Sequence, residues 1–128
     1  MAVRLTIELN TTRQLEEAVN FMGRVNQAQI EDPALRGRIP PIYSGHYRYK
    51  REPPDREEWQ TALQSAERRS GDCEDLCSLL LGFLWAAGEK GARARVIHVT
   101  PTLRHVMVAR ADGRLEDPSA KLGMGGKG

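Results

Sequence analysis

The run Gly71-Asp72-Cys73-Glu74-Asp75-Leu76-Cys77-Ser78-Leu79-Leu80-Leu81-Gly82-Phe83-Leu84-Trp85-Ala86-Ala87-Gly88 decides the fold. Ser70-Gly71 breaks the chain, Asp72 is a natural N-cap and Gly88 a natural stop. Together they predict a helix from Cys73 to about Ala87. Leu76, Cys77, Leu79, Leu80, Leu81, Phe83, Leu84 and Trp85 make that helix apolar on nearly every side. A helix of this kind belongs in the middle of a protein, and everything else must pack around it. Its apolar stretch falls short of the ~20 residues that a bilayer crossing needs, so it reads as a core element.

Upstream, Val3, Leu5, Ile7 and Leu9 alternate with Arg4, Thr6 and Glu8, the period of a strand with one buried face. Thr11 or Thr12 then caps a helix over about residues 13–30, with an apolar stripe of Leu15, Ala18, Val19, Met22, Val25 and Ile30, ended by Asp32-Pro33. Residues 33–54 carry five of the seven prolines and the aromatic residues Tyr43, Tyr47 and Tyr49. A loop this long is usually functional or covers a core edge. Asp55 and Glu58 have capping-box spacing and predict a second helix to about Arg69, burying Trp59, Ala62, Leu63 and Ala66. Downstream, three short strands are expected at about 93–99, 104–110 and 114–117. Helices first and an antiparallel sheet after them give an α+β class, with the sheet packed on the central helix.

The composition suits such a domain. The chain has 128 residues, 40% hydrophobic and 28% charged, within the usual size of one domain. Nineteen Lys and Arg against 17 Asp and Glu leave a net charge of only +2. Arg93, Arg95, Arg104, Arg110 and Arg114 are interleaved with Asp112 and Glu116, so no nucleic-acid or membrane-surface partner is expected. The N-terminus lacks the apolar block of a signal peptide, and two cysteines four apart form no disulfide framework; both point to a reducing, cytoplasmic setting.

Chemistry centres on Cys73. A helix N-terminus favours a thiolate through its exposed N–H groups and dipole, and the same N–H groups can receive an oxyanion. Asp72, Glu74 and Asp75 act against the thiolate, so an imidazolium partner would have to supply much of the activation. The plainer alternative makes Cys73 a small core residue, which is how Cys77 reads one turn later. A zinc site built from Cys73, Cys77, His98 and His105 matches no common spacing. His46 lies in the long loop, His98 shares a strand face with Ala94 and Val96, and His105 shares one with Met107 and Ala109. Chemistry alone does not choose between His98 and His105.

Gly71-Asp72-Cys73-Glu74-Asp75-Leu76, a strand with His105 followed by Val106-Met107-Val108, and then Asp117-Pro118 resemble the transglutaminase-like, papain-related cysteine peptidase superfamily. The likeness extends to small phage-encoded members, through Ala111-Asp112-Gly113, Asp117-Pro118-Ser119 and Leu122-Gly123-Met124, and covers roughly residues 40–124. It implies a papain-like core over 33–124, leaving 1–32 as an accessory or docking strand and helix and 125–128 as a tail. It implies Cys73 as nucleophile, His105 as general base and acid, and Asp117 as the residue orienting the imidazole, with no metal or organic cofactor. The family has a small residue such as Ala where this chain has Cys77. Its second oxyanion donor is an upstream side chain, for which Tyr43, Tyr47, Tyr49 and Gln60 are the candidates. The implied activity is hydrolysis, deamidation or crosslinking of a protein or peptide. The implied setting is a bacterial host's cytoplasm or a virion, with capsid, neck or tail proteins as partners. A virion assembly module that keeps the triad without turnover is the rival reading, and a generic α+β binding domain is a third.

Hairpin register constrains that triad. A two-residue turn at Asp112-Gly113 would pair Val108 with Asp117 and turn Asp117 away from His105. A three-residue loop, Ala111-Asp112-Gly113 with Gly113 left-handed, pairs Ala109 with Leu115 and Met107 with Asp117. That loop puts Asp117 diagonal to His105 on one face, and it is the expected one.

Overall fold

The central helix holds its place because the rest of the chain wraps it. The computed structural model describes residues 9–52, 58–101 and 103–124. Among these, the order is α1 (Thr12–Glu31), a short 3-10 turn (Pro33–Leu35), β1 (Arg48–Tyr49), α2 (Ala62–Arg68), β2 (Ser70–Gly71), α3 (Cys73–Ala86), β3 (Arg93–His98), β4 (Arg104–Ala109), β5 (Leu115–Glu116) and α4 (Pro118–Lys121). The class is α+β. A three-stranded antiparallel sheet, β3-β4-β5, covers one side of α3, and a small parallel pair, β1 with β2, sits at its N-terminal end.

Leu76, Cys77, Leu79, Leu80, Leu81 and Trp85 of α3 are buried, as an all-round apolar helix requires. They share one core cluster with Val19 of α1, Ile42 and Tyr47 of the long loop, Ala62 and Ala66 of α2, and Ala94, Val96, Val106 and Val108 of the sheet. Among the described residues no helix is long and apolar enough to cross a membrane.

Helix α1 has the Thr11 cap expected of it, closed by Gln14 as a capping box. Its fully buried positions are Val19, Gly23 and Asn26, a narrower line than the stripe read from hydrophobicity. The line passes through a glycine and an asparagine because α1 lies tight on α3. Asn26 cross-links three helices: its amide donates to Ser78 Oγ at 3.2 Å and its carbonyl accepts from the Ala62 N–H at 2.7 Å.

The same helix closes the sheet's outer edge. The outward N–H groups of β3 at Ala94 and Val96 donate to Asn20 Oδ1 (2.8 Å) and Glu16 Oε2 (2.9 Å), and the His98 ring meets Thr12 Oγ1 at 3.0 Å. Thr12, Glu16 and Asn20 are four apart on a helix, an advance of ~6 Å, which matches the ~6.6 Å between alternate residues of a strand. A helix row and a strand edge thus run in step, and a pairing edge that would invite another chain is closed.

The second helix differs from expectation. It starts at Ala62, not near residue 55, and its capping box is Thr61 with Gln64. Asp55 lies outside the described residues, as do Val3, Leu5 and Ile7 of the expected first strand. Glu58, Trp59 and Gln60 are not helical, and Trp59 and Leu63 are only part-buried. The reason is at Gln60, whose N–H donates to the Asp75 carboxylate at 2.7 Å, a tertiary bond that a helix through 58–61 could not make. The pairing of Arg48-Tyr49 with Ser70-Gly71 has no signature in the sequence, because two-residue strands leave no periodicity.

Two buried polar side chains are expected to respond in opposite ways. Asn26→Leu strands the Ala62 N–H inside the core and should cost about 1–3 kcal/mol. Ser119 is fully buried and its hydroxyl has no partner among the described residues, so Ser119→Ala should be neutral or stabilising. Urea unfolding of both variants checks the pair; a destabilised Ser119→Ala would show a hidden partner for that hydroxyl.

Candidate active site

Cys73 is the first residue of α3. Asp72 caps the helix by accepting from the Asp75 N–H at 3.0 Å, and Asp75 reaches back to the Asp72 N–H at 3.2 Å. This reciprocal box satisfies N–H groups that a buried helix end would otherwise leave orphaned. Asp75 is 1% exposed and also takes the Gln60 N–H, so the helix end is tied to the segment before α2. Gly71 serves this arrangement through its size. A Cβ there would lie 2.7 Å from the Asp75 Cβ and 3.3 Å from Gln60 Nε2, so the need is room and not flexibility.

Strand β4 supplies the second element. Its partner β5 is short, pairing only Val108 with Glu116 and Ala109 with Leu115, so the β4 edge is open at Val106. The two cysteines of α3, one turn apart, meet that opening. Cys77, fully buried, donates to the Val106 carbonyl at 3.2 Å, and the Val106 backbone also hydrogen-bonds Cys73. The Cys73 sulfur therefore lies beside the residue that follows His105.

The hairpin has the three-residue loop. Ala109 pairs with Leu115, the Arg110 N–H donates to the Arg114 carbonyl at 2.7 Å, and Gly113 has φ 91°, a value at which other residues are strained. Asp117 consequently falls on the His105 face. His105 Nε2 and Asp117 Oδ2 are 2.8 Å apart, both groups part-buried. Asp117 Oδ1 accepts from the Ala120 N–H, so the same carboxylate caps α4 and is held from two sides. With Nε2–H directed at Asp117, the neutral imidazole keeps its lone pair on Nδ1. The other histidines are engaged elsewhere: His46 with the Ala66 carbonyl at 2.7 Å, and His98 with Thr12 at the sheet's outer edge.

Electrostatics at Cys73 favour the thiol. Burial pushes its pKa well above the ordinary value, the Glu74 and Asp72 carboxylates push it further, and the Val106 backbone bond opposes them. Its proton is directed at Glu74 Oε2, 3.4 Å away, and no hydrogen bond joins it to His105. Burial and Asp72 push Glu74 up to about 7, and the same two causes push Asp75 up to about 9. Glu52, Asp72 and Asp75 bring carboxylate oxygens within 4.8 Å of one another, but each already accepts a backbone N–H.

The upstream donor candidates separate. Tyr43 donates to Glu116, Tyr47 donates to the Pro40 carbonyl at 2.7 Å, and Gln60 Nε2 donates to Ser65 Oγ and the Ser70 carbonyl. Tyr49 alone has no hydroxyl partner among the described residues. It pairs with Gly71, two residues before Cys73; burial and then the Cys73 and Asp72 charges raise its pKa. Sequence reasoning missed Glu116, which is nearly buried. Arg110 donates to it at 2.7 Å and to Glu89 at 2.6 Å, and Lys121 lies 3.4 Å from it. This network pins β5, and with it Asp117, to the long loop and the turn after α3.

Against known proteins the chain stands apart: no family model matches it, and no curated protein or solved structure is significantly similar to it.

The raised carboxyls set a pH dependence. Glu74 and Asp75 bind their protons more tightly in the folded chain than in the unfolded one. Their contribution to stability is whole below the ordinary carboxylate range and drains as pH rises through about 7 and then about 9. Glu116 is held below its ordinary value, since its bonds from Tyr43, Arg110 and Lys121 outweigh burial, so its contribution is lost in acid. Urea unfolding should show a maximum in weakly acidic solution and a progressive loss of stability from there to pH ~9.5. A flat profile from pH ~5.5 to ~9.5 would contradict the protonated state of this pair.

Proposed function

We propose that the chain is a transglutaminase-like cysteine hydrolase or acyltransferase with a papain-like core, of phage or prophage origin, acting on a protein or peptide. Cys73 is the nucleophile, His105 the base and acid, and Asp117 the orienting carboxylate. The observation that carries this reading is the His105–Asp117 pair, held at 2.8 Å by a hairpin register that could as easily have turned Asp117 away. Two further facts support it: Cys73 opens a buried helix, and its sulfur lies beside Val106.

In this mechanism Nδ1 of His105 takes the Cys73 proton, and the sulfur electron pair attacks an amide or thioester carbonyl. The carbonyl oxygen becomes an oxyanion at the α3 N-terminus, where the Cys73 N–H is not used by the cap, with the Tyr49 hydroxyl as second donor. The imidazolium returns its proton to the leaving group as the tetrahedral intermediate collapses to a thioester. Water then gives a carboxylate, or an amine gives a new amide, with His105 again moving the proton. Asp117 keeps the tautomer and stabilises the imidazolium. No step calls for a metal or an organic cofactor.

The second reading, a virion assembly module that retains the triad, is favoured by one observation: the resting thiol is bonded to Glu74 and not to His105. Turnover separates the two readings. Cys73→Ala should unfold within about 1 kcal/mol of the parent, because the volume change is small. It should abolish hydrolysis or amine incorporation on casein-derived peptides. His105→Ala and Asp117→Asn should each lose at least about tenfold in kcat/KM. Activity that survives Cys73→Ala would remove Cys73 as the nucleophile, and the absence of any turnover by the parent would favour the assembly reading.

A further inference from the structure

Glu74 is the residue of the α3 N-terminus that neither the helix cap nor the triad requires. Asp72 and Asp75 form the capping box between themselves, and His105 and Asp117 form their own pair. Glu74 is part-buried all the same, and its Oε2 lies 3.4 Å from the Cys73 sulfur, on the proton that His105 would have to take. We propose that Glu74 is a built-in restraint on Cys73: while its carboxylate holds the thiol proton the nucleophile is off, and protonation or displacement of Glu74 frees the thiol for His105. The proposal rests on Cys73 being the nucleophile.

The groups around Glu74 give the restraint its sign. On its own helix end stand Asp72, Asp75 and Cys73. From β1 comes Tyr49, whose titration feels both Glu74 and Cys73; after β1 come Arg51 and Glu52; across the site are His105 and Asp117. Burial and Asp72 bring the Glu74 pKa up to about 7, so the carboxyl changes charge near neutrality. Above that pH an ionised Glu74 opposes a thiolate beside it in the same part-buried site. Below it, a neutral Glu74 leaves the field, and the thiol proton can pass to Nδ1 of His105, leaving the electron pair on sulfur as a thiolate beside an imidazolium. A basic substrate group that pairs with Glu74 would have the same effect at neutral pH.

The test is the rate of carbamidomethylation of Cys73 by iodoacetamide, in which the thiolate displaces iodide. Peptide fragmentation separates Cys73 from Cys77. The parent, Glu74→Gln and His105→Ala are compared at pH ~6 and ~8. Glutamine keeps the size and a carbonyl acceptor but carries no charge. The expected result is about a tenfold faster reaction for Glu74→Gln at pH ~8, equivalent to one pKa unit, and a difference within about twofold at pH ~6. Equal rates for the parent and Glu74→Gln at both pH values overturn the restraint. If His105→Ala is then slower, the nucleophile assignment survives that failure. If His105→Ala leaves the rate unchanged in every comparison, the nucleophile assignment falls and takes the restraint with it.

Discussion

The reciprocal bond between Asp72 and Asp75 at the start of α3 is the constraint on which the rest depends. A helix that is apolar on all sides is stable only when buried, and burial denies water to its first N–H groups. The Asp72 and Asp75 carboxylates each take one N–H of that end inside the protein, and Asp75 also takes the N–H of Gln60. The solution has a chemical consequence. It sinks Cys73 into the protein beside Glu74 and the capping Asp72, so the helix end that should favour a thiolate is outweighed by burial first and by these carboxylates next. Stability and reactivity are set against each other within four residues.

The sheet is built around the same helix by a second set of short-range rules. Gly113 fixes a three-residue hairpin loop, the loop fixes register, and register decides that Asp117 faces His105. On the far edge, Thr12, Glu16 and Asn20 of α1 keep step with β3 and close it. The N-terminal helix is thereby joined to the sheet as well as to α3. The Tyr43–Glu116–Arg110–Glu89 network then ties the long loop to the strand that presents Asp117.

Much of this was legible in the sequence where local chemistry is decisive. The limits of α3 follow from Asp72 and Gly88, those of α1 from Thr11 and Asp32, and the hairpin loop from the parity of His105 and Asp117. What escaped depends on partners distant in sequence. The start of α2 moved because Gln60 bonds to Asp75, fifteen positions on. Asn26 reads as a polar interruption of an apolar stripe until Ser78 and Ala62 are seen around it. Glu116 reads as a solvated charge until Arg110, Tyr43 and Lys121 converge on it. At the site, the resemblance points to Cys73, His105 and Asp117, but nothing in the motif tells that the Cys73 proton is aimed at Glu74.

A Cys73 nucleophile served by His105 would pass through a covalent acyl intermediate. Intact-protein mass spectrometry after brief exposure to p-nitrophenyl acetate, quenched in acid, tests it most directly. The expected result is a single acetyl adduct, removable by neutral hydroxylamine as a thioester is, mapped to Cys73 and strongly reduced in His105→Ala. An adduct that forms as readily in His105→Ala, or that maps to Cys77 or to a lysine, would contradict it.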